Sequence, residues 1–147
     1  MNIYEHESVN NKLFRLKEIS KILDEMRPVS KEEFLKNTQL NSAAMFNLLI
    51  GITILLDTGQ HILSQFAKKT PKNYKEVIQL LGQEKVVAEG FASQNEGMAS
   101  FRNMLVHEYD KIDFELVYAY LQKAPDVFRE FAKYFVEFIE KQETKNP

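Results

Sequence analysis

The run from Arg102 to Tyr109 carries the side chains in this sequence that are best suited to chemistry. Arg102 is a permanent cation, and its planar fork of donors matches the oxygens of a phosphate group. His107 can take up or release a proton near neutral pH, and Asn103 can both donate and accept hydrogen bonds. Tyr109 adds a phenol hydroxyl. Together these groups can bind a phosphodiester and move a proton.

The spacing within this run limits how its groups can meet. Asn103 and His107 are four residues apart, so on one helix they share a face and the amide can hydrogen-bond the imidazole. Arg102 lies five residues before His107, which corresponds to about 140° around a helix axis. One straight helix therefore cannot direct both groups at one phosphate. Either the helix ends near His107, or a second copy of the chain supplies the complementary half of the site.

Apolar residues at helical spacing predict the elements that must position this run. Ser30 with Glu33 forms a capping-box pattern, and Asp113 is a plausible N-cap, which favours a helix end near His107. Proline residues 28, 71 and 125 are expected to interrupt the chain. The predicted helices cover Leu13 to Met26, a short segment with Phe34 and Leu35, Leu40 to Lys68, Tyr74 to Leu81, Glu84 to about His107 with a weak point at residues 95–97, Asp113 to Lys123, and Val127 to Ile139.

The expected fold class is therefore all-α, an up-and-down bundle of about five to six helices in a single domain over residues 1–147. Residues 141–147 are polar, and we expect them to form a frayed tail. At 44% hydrophobic and 27% charged residues, the composition is that of a globular protein. A net charge of -2 argues against a strongly basic nucleic-acid-binding coat.

The sequence also favours a cytoplasmic location. It contains no cysteine, which excludes disulfides and thiolate chemistry. The N-terminal segment carries charges every few residues and lacks the continuous apolar stretch of a secretory signal. The most apolar stretch, Phe46 to Leu56, has 11 residues and is too short to cross a bilayer. We interpret it as part of a buried core helix.

The segment from Phe101 to Asp113 resembles the HepT-like toxins of the HEPN superfamily, because it matches their Arg-x4-His-x-Tyr pattern. Ala43 to Leu63 is similar to the long helix that this family carries upstream, and Val117-Tyr118 falls where its following helix begins. The resemblance thus covers nearly the whole chain. It implies a small all-α endoribonuclease toxin that acts as a homodimer, with its cleft between the two subunits. The implied partner is a cognate minimal nucleotidyltransferase antitoxin.

The resemblance also implies a role for each residue of the run. Arg102 would bind the scissile phosphate, and His107 would act as base on the ribose 2′-hydroxyl or as acid on the leaving oxygen. Asn103 would orient His107 or the RNA backbone. Tyr109 would be the residue to which the partner attaches AMP, and this would silence the toxin. Attack by the 2′-hydroxyl on its own phosphate needs no metal and no cofactor.

Two alternatives remain open at this stage. A rival function is a non-catalytic subunit that holds a nucleotide or substrate for a nucleotidyltransferase complex and cuts no RNA. Separately, Asp57 and His61 are one turn apart on the predicted long helix and can form an ion pair or hydrogen bond. They are interpreted as a local polar pair, with an indirect contribution to the active site as the alternative.

Overall fold

The fold is an all-α bundle, as the sequence predicts. The structure, a computed structural model, describes residues 1–145. Within that range there are five longer helices, two helices of six residues and no strand. The helices are α1 (Ile3–Met26), α2 (Lys31–Lys36), α3 (Thr38–Ile62), α4 (Tyr74–Gln83), α5 (Glu89–Gln94), α6 (Gly97–His107) and α7 (Phe114–Lys145).

Several helix starts are set by short polar caps. The Ser30 hydroxyl accepts a hydrogen bond from the Glu33 amide, which confirms the predicted cap of α2. Asp113 accepts from the amide of Leu116 and so caps α7, also as predicted. Helix α1 begins about ten residues before its apolar stripe, because Asn2 and Glu5 form a capping box that the sequence analysis did not use.

The core lies between the three longest helices, α1, α3 and α7, which pack against one another. Gly51 on α3 allows α7 to approach closely, because a methyl group at that position would overlap the Phe128 ring on α7. Full burial of one large apolar side chain contributes about 1.5–3 kcal/mol. The largest fully buried side chains include Leu16, Ile19 and Leu23 of α1, Leu48, Ile52 and Leu55 of α3, and Phe128, Phe131 and Phe135 of α7.

Helix α3 continues through a π-helical turn, Leu63–Ala67, and the chain then leaves the helix at Lys68 in a left-handed conformation with φ 54°. The 30-residue stretch Thr38–Ala67 is long and apolar enough to cross a membrane by length and composition. A core helix of a soluble protein has the same properties. Because α3 contacts both α1 and α7, we assign it to the core, as its sequence predicts.

The predicted interruption at Ala124-Pro125 is wrong. Helix α7 runs without a break from Phe114 to Lys145, with Pro125 inside it. Ala124, Pro125 and Phe128 are all buried, so packing outweighs the local cost of a proline in the helix. The polar segment expected to fray is helical as far as Lys145, and residues 146 and 147 lie outside the described part of the chain.

The single helix expected from Glu84 to His107 is instead two helices, α5 and α6, that begin after a loop. Lys85 has φ 58°, a left-handed conformation that ends α4. The predicted weak point at residues 95–97 is a true boundary, because the Asn95 side chain donates to the Phe91 carbonyl and α6 starts at Gly97. The helix that carries the Arg102 run is therefore only 11 residues long.

Candidate functional site

The buried face of helix α6 fixes the rotation of the helix about its own axis. Met98, Phe101 and Leu105 are buried, and the Phe101 ring stacks on Tyr120 of α7 with 3.9 Å between ring centroids. The adjacent positions therefore point away from this contact. As a result Arg102 is half-buried while Asn103 and His107 are exposed.

Arg102 is held by two other helices. Its Nε donates a hydrogen bond to the Thr53 hydroxyl of α3 at 3.2 Å. Its guanidinium carbon lies 4.8 Å from the centroid of the Tyr74 ring at the start of α4, which is a cation–π contact. These two contacts fix one edge and one face of the guanidinium group. At the Nη end, the hydrogen-bond acceptor among the described residues is the Asn103 side chain, which takes Nη1.

Tyr74 is in turn tied to Asp57. The Tyr74 hydroxyl donates to the Asp57 carboxylate at 2.9 Å. Burial raises the pKa of the Tyr74 phenol, and the hydrogen bond to Asp57 and the charge of that carboxylate act in the same direction, while the Arg102 cation opposes them. The phenol is therefore a neutral donor near neutral pH. Asp57, Tyr74 and Arg102 form a continuous chain of contacts from α3 through α4 to α6.

Asn103 does not make the contact expected from its spacing. Its side-chain oxygen accepts a hydrogen bond from Nη1 of Arg102 at 3.3 Å. Within residues 1–145, neither Asn103 nor any other side chain is hydrogen-bonded to His107. The expectation that Asn103 fixes the His107 ring is therefore not met in this structure. Asn103 borders the Arg102 fork instead.

His107 is the last residue of α6, which confirms the helix end that the cap at Asp113 favours. The Glu108 amide closes the helix by donating to the Met104 carbonyl, and a 3-10 turn, Tyr109–Lys111, follows. Tyr109 is 77% exposed. The His107 and Tyr109 side chains therefore both lie on open surface at the end of α6.

The predicted pair of Asp57 and His61 does not form. Asp57 is bound by Tyr74, and Nε2 of His61 is buried without a hydrogen-bond partner among the described residues. The alternative interpretation, in which Asp57 contributes indirectly to the site, agrees with its position behind Tyr74. We assign no role to His61.

The sequence analysis missed Thr53 and Tyr74. Thr53 lies 49 residues from Arg102 in the chain, so no local spacing rule relates the two. One usable signal was present. Thr53 and Asp57 are four residues apart in the most apolar part of the predicted long helix, and two polar side chains on one face there indicate a polar contact at that position. Tyr74 was assigned only to an apolar stripe.

A family model described as "Ribonuclease HepT-like" matches residues 15–135. The chain belongs to this HepT-like family. The matched range contains Arg102, Asn103, His107 and Tyr109, so the resemblance drawn from the motif is confirmed. The tRNA nuclease HepT of Aphanizomenon flos-aquae is 29% identical over 139 residues, which cover 88% of this HepT-like chain and 92% of that protein.

Solved structures have the same fold. The tri-AMPylated HEPN toxin of Shewanella oneidensis, solved in complex with an MNT antitoxin, has a TM-score of 0.79 and 20% identity over 93% of this HepT-like chain and 99% of that one. The cytosolic protein YutE of Bacillus subtilis also has a TM-score of 0.79, with 21% identity over 93% of this chain and 92% of that one. Its sequence alignment is shorter, at 26% identity over 89 residues, and spans 62% of that protein.

Proposed function

We propose that this protein is the toxin of a HEPN/nucleotidyltransferase toxin-antitoxin pair and that it cleaves RNA. The observation that carries the proposal is the fixed guanidinium of Arg102, whose Nη end is directed outward on the helix that ends at His107. Arginine is suited to a phosphate because its donors match phosphate oxygens in pairs. Membership of the HepT-like ribonuclease family supports the same assignment.

The proposed reaction is an internal transfer of the phosphodiester. The ribose 2′-oxygen attacks the neighbouring phosphorus, a new O–P bond forms, and the bond from phosphorus to the 5′-oxygen of the next nucleotide breaks. His107 takes the 2′-hydroxyl proton or gives a proton to the leaving oxygen. Arg102 neutralises the charge that develops on the phosphate oxygens, and Asn103 helps to hold the RNA backbone. The products are a 2′,3′-cyclic phosphate and a 5′-hydroxyl. The step needs no metal ion.

We also propose that the active species is a homodimer with its cleft between the subunits. Arg102 and His107 lie about 140° apart around α6, and His107 is exposed at the helix end. A two-fold axis near this end would bring the His107 of one subunit towards the Arg102 of the other. Each subunit then supplies half of each site.

Tyr109 is the proposed site of control by the partner nucleotidyltransferase. Its hydroxyl would attack the α-phosphorus of ATP, so that AMP is attached and pyrophosphate leaves. The 77% exposure of this side chain makes it accessible to a second enzyme. A nucleotide attached two residues from His107 would occupy the cleft and repel RNA by its negative charge. A HEPN toxin of the same fold is described as tri-AMPylated in a complex with its antitoxin.

We place the protein in the cytoplasm, where its RNA substrate and its partner would both be found. The description of the structurally similar YutE as cytosolic supports this location.

The central test is cleavage of total RNA and of a defined oligonucleotide by the purified, unmodified protein in the presence of EDTA. We expect products that end in a 2′,3′-cyclic phosphate. A single 2′-deoxy substitution at the cut position should abolish cleavage there, because the attacking hydroxyl is gone. Binding of nucleotides without any cleavage would refute the nuclease assignment and support the non-catalytic binding subunit.

The composite site is tested by mixing two inactive variants. Arg102→Ala and His107→Ala homodimers each lack one component of both sites. If each site takes Arg102 from one subunit and His107 from the other, a mixed dimer of the two variants contains one intact site out of two. Random exchange of equal amounts makes half of the dimers mixed, so about a quarter of the wild-type activity should return. No recovery, with subunit exchange verified by native mass spectrometry, would contradict the composite site.

The modification is tested by intact mass after coexpression with a cognate nucleotidyltransferase. We expect mass increments of whole AMP units on the wild-type chain and none on Tyr109→Phe. Tyr4 is also exposed, at 79%, so Tyr4→Phe is the matched control and should be modified like the wild type. Increments retained in Tyr109→Phe would place the modification elsewhere.

A further inference from the structure

The polarity of the Thr53 contact is fixed by the helix that carries it. The Thr53 hydroxyl donates its own proton to the Leu49 carbonyl at 2.8 Å. Its oxygen therefore presents a lone pair to Arg102, and Nε of Arg102 is the donor at 3.2 Å. The single Nε–H of the guanidinium group is used in this bond. The remaining four N–H groups lie on Nη1 and Nη2, at the outer end of the side chain.

Tyr74 controls the second degree of freedom. A guanidinium group held only by the hydrogen bond at Nε can still rotate about the axis of that hydrogen bond. The Tyr74 ring limits this rotation because it lies against the face of the group, with 4.8 Å between the ring centroid and the guanidinium carbon of Arg102. The ring thus determines the plane of the fork. Among residues 1–145, Nη2 has no hydrogen-bond acceptor and Nη1 has only the long contact to Asn103, so the fork is held in orientation and left open at its binding edge.

Asp57 holds the ring in place. Its carboxylate accepts the Tyr74 hydroxyl proton at 2.9 Å, which fixes the ring at the edge farthest from its own backbone. A hydrogen bond to an anionic acceptor also raises the electron density of the phenol ring, and a richer ring attracts a cation more strongly. The three residues come from α3 and α4, and both helices have buried apolar contacts of their own, including Leu55, Leu56, Val77 and Ile78.

We infer that Thr53, Tyr74 and Asp57 are positioning residues, which orient the Arg102 guanidinium so that its Nη edge meets the scissile phosphate of RNA. The inference rests on the proposed function, since it assigns the supporting groups of the same phosphate-binding residue. None of the three touches the substrate in this arrangement. Their effect on the reaction passes through Arg102, and this makes the inference testable.

The test uses pairs of variants that differ in one property. Thr53→Val removes the acceptor at nearly constant shape, while Thr53→Ser keeps the hydroxyl. Tyr74→Leu removes the ring, while Tyr74→Phe keeps the ring and loses only the bond to Asp57. Each is measured for kcat and KM on a defined RNA oligonucleotide. Circular dichroism and the free energy of unfolding show whether each variant is folded.

The expected losses follow the strength of each contact. Thr53→Val should lower kcat about tenfold, because a hydrogen bond that involves a charged group contributes about 1.5 kcal/mol; Thr53→Ser should restore most of this. Tyr74→Leu should lower kcat about threefold to tenfold and Tyr74→Phe about twofold to threefold, in line with a partly exposed cation–π contact. Asp57→Ala should match Tyr74→Phe, and the double variant should be no worse than either one.

A double-mutant cycle separates positioning from a general structural effect. In an Arg102→Ala background, Thr53→Val and Tyr74→Leu should cause no further loss of kcat, because the group on which they act is absent. Independent, multiplicative losses would overturn the inference. So would a Thr53→Ser variant as impaired as Thr53→Val.

A second measurement does not depend on cleavage. The Nε–H of Arg102, followed by nitrogen-15 NMR, should exchange slowly with water in the wild type and in Thr53→Ser, and faster in Thr53→Val. If the wild-type chain cuts no RNA, the proposed function fails while this measurement still tests the positioning. Equal exchange in Thr53→Val and wild type would show that Thr53 does not hold the guanidinium group.

Discussion

Arg102 and His107 belong to one short helix, yet the fold treats them in opposite ways. Arg102 is bound by Thr53, stacked on Tyr74 and bordered by Asn103. The His107 side chain is exposed at the helix end and has no hydrogen-bond partner among the described residues. The cationic half of the site is thus fixed within one chain. The His107 side chain, the proposed proton-transfer group, lies on open surface.

The largest expected effect comes from the open end. His107→Ala should lower RNA cleavage by about 10²–10⁴-fold, since that is the usual contribution of a general acid or base. The free energy of unfolding should change by less than about 0.5 kcal/mol, because the side chain is exposed and unpaired. Cleavage kinetics and urea unfolding measure the two quantities. A clear loss of stability would show that His107 is as well anchored as Arg102 and would remove the contrast.

Substitution of Arg102 should lower both RNA cleavage and the free energy of unfolding. Arg102→Ala should lower cleavage about 10²–10³-fold, as expected when one fixed charge contact is lost. It should also lower the free energy of unfolding by about 1 kcal/mol through the lost contacts with Thr53 and Tyr74. Arg102→Lys is the matched control. It keeps the charge without the planar fork, so it should recover only part of the activity. Full recovery would mean that orientation is unimportant.

The smallest effect concerns pH. The pKa of the Tyr74 phenol in the folded protein is raised, first by burial and then by Asp57. The neutral phenol therefore makes its full contribution to the free energy of unfolding at any pH below the pKa that Tyr74 has in the unfolded chain. It is lost as the pH rises from about 10 through the folded value. The free energy of unfolding should therefore fall more steeply above pH 10 in the wild type than in Tyr74→Phe.

Tyr120 gives the control for this measurement. Burial alone raises its pKa, and it lies against Phe101 on the inner side of α6, away from Arg102. Tyr120→Phe should reduce the fall in the free energy of unfolding above pH 10. It should leave RNA cleavage unchanged, because Tyr120 does not contact Arg102. An identical alkaline slope in wild type and Tyr74→Phe would contradict the account of Tyr74 as a buried neutral donor.

The sequence predicts what is local to α6. Asp113 is correctly predicted as the next cap, and the helix end that this cap favours lies at His107. Caps and periodicity depend on residues within a few positions of one another, so one sequence contains the necessary information. The family motif lies in the same short segment, and for that reason it identifies the chain.

What depends on distant residues is not predicted. Thr53 and Tyr74 reach Arg102 only after α3, α4 and α6 have packed, and Asn103 turns to Arg102 rather than to His107. Pro125 was assigned by its local preference, which the buried surroundings of α7 override. The proposed catalytic residues lie within one short segment of the sequence, whereas the side chains that contact Arg102 from α3 and α4 lie far from it in the chain.

The continuity of α7 through Pro125 has a consequence for local opening. Proline has no amide to donate to the Leu121 carbonyl, so this 32-residue helix lacks one backbone hydrogen bond about a third of the way along. The shorter segment before Pro125 is joined to the Tyr109 turn through Asp113, and its Tyr118 hydroxyl donates to the Val29 carbonyl. The longer segment after it packs through Phe131 on Phe91. We expect amide exchange to divide α7 at this position, so that the segments before and after Pro125 open as separate units.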